Sequence, residues 1–223
     1  MRKLNNNFQK LKIRYFSFLK KQEASGEPFL NKIGQLKKFY LPICYQIYEL
    51  FKKNKKLIIL GLAGGQGSGK STISSILKII LNTNYKLKVL TISIDDYYKT
   101  LYERKKISST NKLMITRGVP GTHDINLLYK HLKNLKKKRF RPFLSPKFSK
   151  AKDDRMKKRD WKKISGSYDV VIFEGWCVGA RHQTYKELKK PLNSMEKLDK
   201  AIYGQNDTKQ NIIQLVSKLI TNP

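Results

Sequence analysis

At 223 residues the chain has room for one sizeable domain with a short extension. Hydrophobic residues at 39% and aromatics at 11% suffice for a packed core and exclude a globally disordered polymer. Lys and Arg number 48 against 16 Asp and Glu, a net charge of +32 that fits either nucleic-acid binding or lysine-rich solvated surfaces that attract anionic substrates. Basic residues occur in every region, with no helix–turn–helix, zinc-finger or aromatic RNA-binding signature, so nucleic acid is not the expected partner. No apolar run approaches the ~20 residues that span a bilayer, and no secretory leader pattern is visible. Cys44 and Cys177 lie far apart without metal-ligand spacing and read as free thiols of a reducing compartment, which points to the cytoplasm.

In chain order, residues 1–28 read as a basic N-terminal extension. It has no acid before Glu23, and Phe8, Leu11 and Phe16 suggest a helical face. An exposed basic helix is expected, with organelle targeting as the alternative. The main domain is placed at 29–195, opening with one or two helices over 30–52 in which Pro42 marks a break or first turn. Leu57–Ala63 is a short unbroken apolar run, as in a buried parallel strand. A glycine-rich turn follows, then a helix from Ser71 to Leu81 with Ile73, Ile76, Leu77, Ile80 and Leu81 at helical spacing. A second strand is expected at Val89–Ser93, running into Ile94-Asp95-Asp96, and a helix begins at Asp124. Asp169–Glu174 is the third strand, closed by Gly175. Strands alternating with helices predict an α/β domain, a three-layer sandwich around a parallel sheet.

Gly64-Gly65-Gln66-Gly67-Ser68-Gly69-Lys70-Ser71, followed by Thr72, fits the phosphate-cradle pattern G-x-x-x-x-G-K-[ST] between a strand and a helix. Its glycines let successive amides turn toward phosphate oxygens at a positive helix N-terminus. Lys70 is placed to reach the β- and γ-phosphates, and Ser71 to offer its hydroxyl to Mg²⁺. A GTPase would need Asn-Lys-x-Asp, and Asn111-Lys112-Leu113-Met114 lacks the aspartate. A transporter-type ATPase needs a downstream signature, and the look-alike Ala63–Gln66 overlaps the cradle itself. In a parallel sheet the strand C-termini converge on the phosphate crevice, which brings Asp95, Asp96 and Glu174 there. Asp95 and Asp96 suit a metal or a substrate hydroxyl's proton, and Glu174 suits Mg²⁺ through water. Strand-end acids that merely cap the next helix are the competing reading.

With SIDDYY (93–98), RGVPGTHD (117–124), PKFSKAKDDR (146–155) and DVVIFEGWCVG (169–179), the chain resembles the D-glycerate 3-kinase group, which is similar to uridine kinase, pantothenate kinase and phosphoribulokinase. The resemblance runs from about residue 40 to 195. It implies a P-loop kinase fold, ATP as phosphoryl donor, Mg²⁺, and D-glycerate or a like small hydroxylated acceptor. Uridine or pantothenate is the alternative acceptor. By this resemblance Asp95 is the catalytic acid/base, assisted by Lys70 and Asp96, and Ser71, Asp95 and Glu174 surround the metal. Arg117, His123, Asp124 and Arg155 would face the acceptor, and a planar guanidinium suits a carboxylate. His123 and Asp124 also fit plain helix-start roles. Two departures stand out. Phe148-Ser149-Lys150-Ala151 replaces the group's Tyr-Asp-Lys-Ser, and from Glu196 the chain diverges. The group's strand order is 2-3-1-4-5, so a sheet left incomplete after its third strand, with a bare edge on the cradle strand, is expected. On that reading 196–223 is a divergent helical segment, with helical spacing from Asn211 to Ile220, and nucleotide binding without turnover is the rival function.

Overall fold

The computed structural model describes residues 2–180 apart from 25, 27, 120 and 138. In chain order its elements are α1 (Arg2–Glu23), α2 (Lys32–Gln35), α3 (Leu41–Asn54), β1 (Ile58–Ala63), α4 (Lys70–Asn84), β2 (Val89–Ser93), α5 (Leu101–Ser108), α6 (Ile125–Leu135), β3 (Phe143–Ser145), β4 (Phe148–Ser149), β5 (Asp154–Arg155), β6 (Lys162–Ile164) and β7 (Val170–Gly175). The three apolar runs expected as buried strands are β1, β2 and β7, and β7 pairs in parallel with both others.

Because side chains alternate across a strand, each run feeds two cores. Leu60, Leu62, Val89, Val170 and Ile172 pack with Ile76, Ile80 and Leu81 of α4 and with Cys44 and Ile47 of α3. Leu90, Ile92 and Val171 pack on the opposite face with Tyr97, Ile164, and Leu128 and Leu135 of α6. The result is the three-layer α/β sandwich. The register sets Leu62 and Ser93 level with Glu174, so the C-terminal ends of all three strands open on one crevice. Among the described residues no strand pairs with the outer edge of β1. The helical segment expected at Asn211–Ile220, like all of 196–223, lies outside the described residues.

Helix α1 corrects the expectation of an exposed basic helix. Leu11, Tyr15 and Leu19, spaced four apart, are buried in the same core cluster as α4. Each such burial is worth roughly 1.5–3 kcal/mol relative to exposure. The cations remain on the outer face, where Lys10 and Lys20 are exposed. Pro42 acts as anticipated at the start of α3. Its ring cannot accommodate a normal turn, and the preceding Leu36–Tyr40 is a π-helical turn in which Leu41 N–H donates to Leu36 C=O. Cys44 and Cys177 are both free thiols. No described helix is long and apolar enough to cross a membrane.

The stretch between β2 and β7 is more ordered than its irregular sequence suggests. Thr100 and Glu103 form a reciprocal capping box that starts α5. Two short antiparallel ladders follow, β3 with β6 beside α6 and β4 with β5 at the crevice. Asp154 Oδ1 accepts the Leu101 N–H at 2.8 Å, tying β5 to the start of α5.

Candidate active site

The cradle is set by main-chain geometry. Gly69, the residue before α4, sits at φ 77°, a left-handed conformation that costs other residues dearly and that starts the helix with its amides facing the crevice. A Cβ on Gly64 would stand 2.7 Å from Ser68 Oγ, so a side chain there would displace that hydroxyl from Gly65 C=O. Ser68 Oγ donates to Gly65 C=O at 2.9 Å, and Lys70 Nζ donates to the same carbonyl. A cavity of about 950 Å³ lies over this loop. Gly65, Gln66, Gly67, Gly69, Lys70, Ser71 and Thr72 line one wall, and Asp95, Asp96 and Glu174 line it from the strand ends.

Within that cavity Ser71 Oγ lies 2.9 Å from Glu174 Oε1 and 3.1 Å from Oε2. The two groups expected around a metal, 103 residues apart in sequence, are therefore in contact. A serine hydroxyl, a largely buried carboxylate (8% exposed) and the nearby Asp95 form an all-oxygen donor set of the hard type that Mg²⁺ prefers. The residues present fit Mg²⁺·ATP: cradle and Lys70 for the phosphates, Ser71 and Glu174 for the cation.

Asp95 and Asp96 are adjacent in sequence but differently engaged. Asp95 stands 3.4 Å from Lys150 Nζ. Asp96 accepts the Phe148 N–H at 3.3 Å and pairs with Lys147 at 3.1 Å, so it fastens β4 to the end of β2. Both lysines come from the β4–β5 hairpin and line the cavity opposite the cradle.

The four residues expected at the acceptor separate into two groups. Arg117 lines the cavity, with Nη1 donating to Asp153 Oδ1 at 2.8 Å and to Lys150 C=O at 3.1 Å. His123, Asp124 and Arg155 stand behind the cavity wall at Tyr98. His123 is 4% exposed and stacks on Tyr98 with ring centroids 4.1 Å apart. Its Nε2 has no hydrogen-bond partner among the described residues. Burial holds its pKa below the usual imidazole value, against the opposing pull of the Asp95 charge. Asp124 is the N-cap of α6, accepting the Leu127 N–H at 3.1 Å, and also pairs with Arg155 at 3.3 Å. Arg155 spends its other donors on the Tyr98 and Tyr97 carbonyls at 2.8 and 3.4 Å. Burial, with the Asp95 charge adding to it, pushes the Tyr98 phenol up to about 12.

Tyr98, Lys147, Phe148, Lys150 and Trp176 also line the cavity, and each enters the sequence reading only as part of a quoted motif, without a role of its own. Tyr98 closes the SIDDYY segment, two residues after the acidic pair, and that proximity was its available signal.

Residues 59–212 match the model of the phosphoribulokinase/uridine kinase family, more than half of the chain. The chain belongs to that family. It is 37% identical over 136 residues to an uncharacterized kinase, mug58, of Schizosaccharomyces pombe, a match covering 57% of this chain and 49% of that one. To the chloroplastic D-glycerate 3-kinase of Arabidopsis thaliana it is 33% identical over 131 residues, covering 55% of this chain and 28% of the relative. The match thus spans about half or less of these curated relatives. Among solved structures, D-glycerate 3-kinase from Cryptococcus neoformans var. grubii superposes with a TM-score of 0.62 at 25% identity, covering 80% of this chain and 67% of that one. The P-loop kinase-like α/β fold follows from the family and from this likeness.

Proposed function

We propose that the chain is an ATP- and Mg²⁺-dependent kinase that transfers the γ-phosphoryl group to a hydroxyl of D-glycerate or a closely similar small hydroxy acid. The observation that carries this is the Ser71–Glu174 contact in one cavity with Lys70 and Asp95. It supplies the parts that phosphoryl transfer needs: a phosphate cradle, a cation site and a carboxylate beside the place where a hydroxyl would attack. Bound Mg²⁺ would neutralise charge on the phosphoryl oxygens. Lys70 holds the β- and γ-phosphates, and Asp95 takes the acceptor proton at Oδ. The hydroxyl oxygen bonds to phosphorus as the bond to the β-phosphate oxygen breaks, and ADP leaves with that electron pair.

An acidic acceptor suits the opposite wall, where Arg117, Lys147 and Lys150 are all cationic. His123, Asp124 and Arg155, held behind Tyr98, would shape that wall, with the unpartnered His123 Nε2 free for an acceptor oxygen once Tyr98 moves. Two of the relatives described above carry glycerate kinase names, and the family name also includes uridine kinases. Release of ADP from the full chain, assayed with glycerate, uridine, pantothenate and RNA, tests the reading. Turnover with glycerate alone supports it. Turnover with uridine or pantothenate reassigns the acceptor, and tight nucleotide binding without turnover on any of them removes the kinase assignment.

A further inference from the structure

Arg104 belongs to no motif singled out in the sequence, yet it is a completely buried cation at 0% exposure. Burying a guanidinium is costly unless its charge and donors are met, so its partners show what it is for. Nη1 donates to Ile115 C=O at 2.7 Å, and Nη2 donates both to the Asp153 backbone carbonyl and to Asp153 Oδ2, the latter at 3.0 Å. The other carboxylate oxygen of Asp153 accepts from Arg117. One carboxylate thus bridges an interior arginine and an arginine of the cavity wall. Both guanidinium carbons lie over the Phe148 ring, at 5.8 and 6.0 Å. Asp153 itself sits at φ 50°, in the turn that also carries Lys150 toward Asp95.

We propose that Arg104 and Asp153 are positioning residues that fix Arg117, and with it the 150–153 turn, at the acceptor end of the cavity. The inference rests on the kinase reading above for its purpose, but not for its geometry. Without Asp153 the Arg117 side chain keeps, among the described residues, the Lys150 carbonyl as its hydrogen-bond partner and the Phe148 ring beneath it. A flexible cation of that kind loses rotamer entropy on each binding event, whereas a clamped one has lost it on folding. The bridging carboxylate carries the signature of the clamp. Burial works to raise the Asp153 pKa, yet hydrogen bonds from Arg104 and Arg117 outweigh it and hold the acid below the usual carboxylate value.

Two variants test this: Asn and Gly both tolerate the left-handed conformation at 153, so the turn itself is kept. Because each variant also leaves buried Arg104 without its carboxylate, a melting curve accompanies both and the comparison is made well below the midpoint. The first readout needs no substrate: the ¹⁵Nε order parameter of the Arg117 side chain. It should be high in the native chain and drop below about 0.6 in Asp153→Gly, while that of Arg155 stays unchanged. Asp153→Asn, which keeps one acceptor oxygen, should lie between. The second readout is kinetic. Asp153→Gly should raise the acceptor KM by about ten- to a hundredfold with the ATP KM unchanged, and Arg117→Ala added to it should do less harm than Arg117→Ala does in the native chain. An Arg117 order parameter insensitive to Asp153→Gly overturns the proposal. So does an additive double variant. If the native chain turns over no acceptor, the kinase reading fails, and the order parameters still decide whether the clamp exists.

Discussion

On one side of the cavity, β1, residues 64–69 and α4 deliver amides, Lys70 and Ser71 through main-chain geometry. On the other side, the β4–β5 hairpin is held over the site by charge: Lys147 on Asp96, Lys150 on Asp95, and Arg104 and Arg117 on Asp153. The first wall rests on a hydrophobic core that reaches as far as α1. The second rests on side chains that are partly solvated, with Asp153 43% exposed. A backbone cradle serves any nucleoside triphosphate, whereas an ion-paired wall changes its ligand when one charge changes. The nucleotide side should therefore respond to packing, and the acceptor side to charge.

The largest effect should come where the two walls meet. Asp95→Asn removes the proposed proton acceptor and the Lys150 partner with almost no change of shape, and kcat should fall by roughly 10²–10⁴ with little loss of thermal stability. Steady-state kinetics beside a melting curve check this, and a folded variant with native kcat would return Asp95 to a structural role. On the cradle side, Leu19→Ala should destabilise the whole domain by about 2–5 kcal/mol in denaturant titrations, because Leu19 is buried among residues of α4 and the sheet. A loss below about 0.5 kcal/mol would mean that α1 is a loose extension after all.

The smallest effect is read by pH at His131 of α6, which packs against Tyr97 and Phe143. Burial lowers the His131 pKa from 6.5 to about 4, and its Nδ1 lies 3.0 Å from the Tyr97 hydroxyl. The unfolded chain takes up that proton first as pH falls. The stability associated with His131 is thus complete above pH 6.5 and is lost as the pH drops toward 4, at about 1.4 kcal/mol per pH unit. His123, also depressed by burial, acts in the same direction. Unfolding free energies measured from pH 7 to 4.5 should show the slope, reduced in His131→Gln. An unchanged slope in that variant would place the titration elsewhere.

The same division governs what could be read in advance. The cradle, the three core strands and the Asp124 cap are local patterns: an apolar run, a glycine spacing, one side chain accepting one nearby amide. The acceptor wall is not local. β4 and β5 are two residues each, and β4 is held by Asp96, 52 residues away from Phe148. Arg104 stands in the charged run Glu103-Arg104-Lys105-Lys106, where nothing in the sequence marks one cation as interior, and only the fold reveals that Ile115 and Asp153 close over it. Two signals were present and passed over. Thr100 and Glu103 announce α5 as a capping box, and Tyr15 and Leu19 continue at four-residue spacing the face that Leu11 begins.

On the proposed reading the chain binds Mg²⁺·ATP through Lys70, Ser71 and Glu174, which titration calorimetry of the full chain with ATP measures. ATP should bind the native chain, more tightly with Mg²⁺ than without, and Lys70→Ala should lose roughly tenfold or more in affinity, as expected for a charge-assisted contact. Equal ATP affinity in the native chain and in Lys70→Ala, indifferent to Mg²⁺, would contradict it.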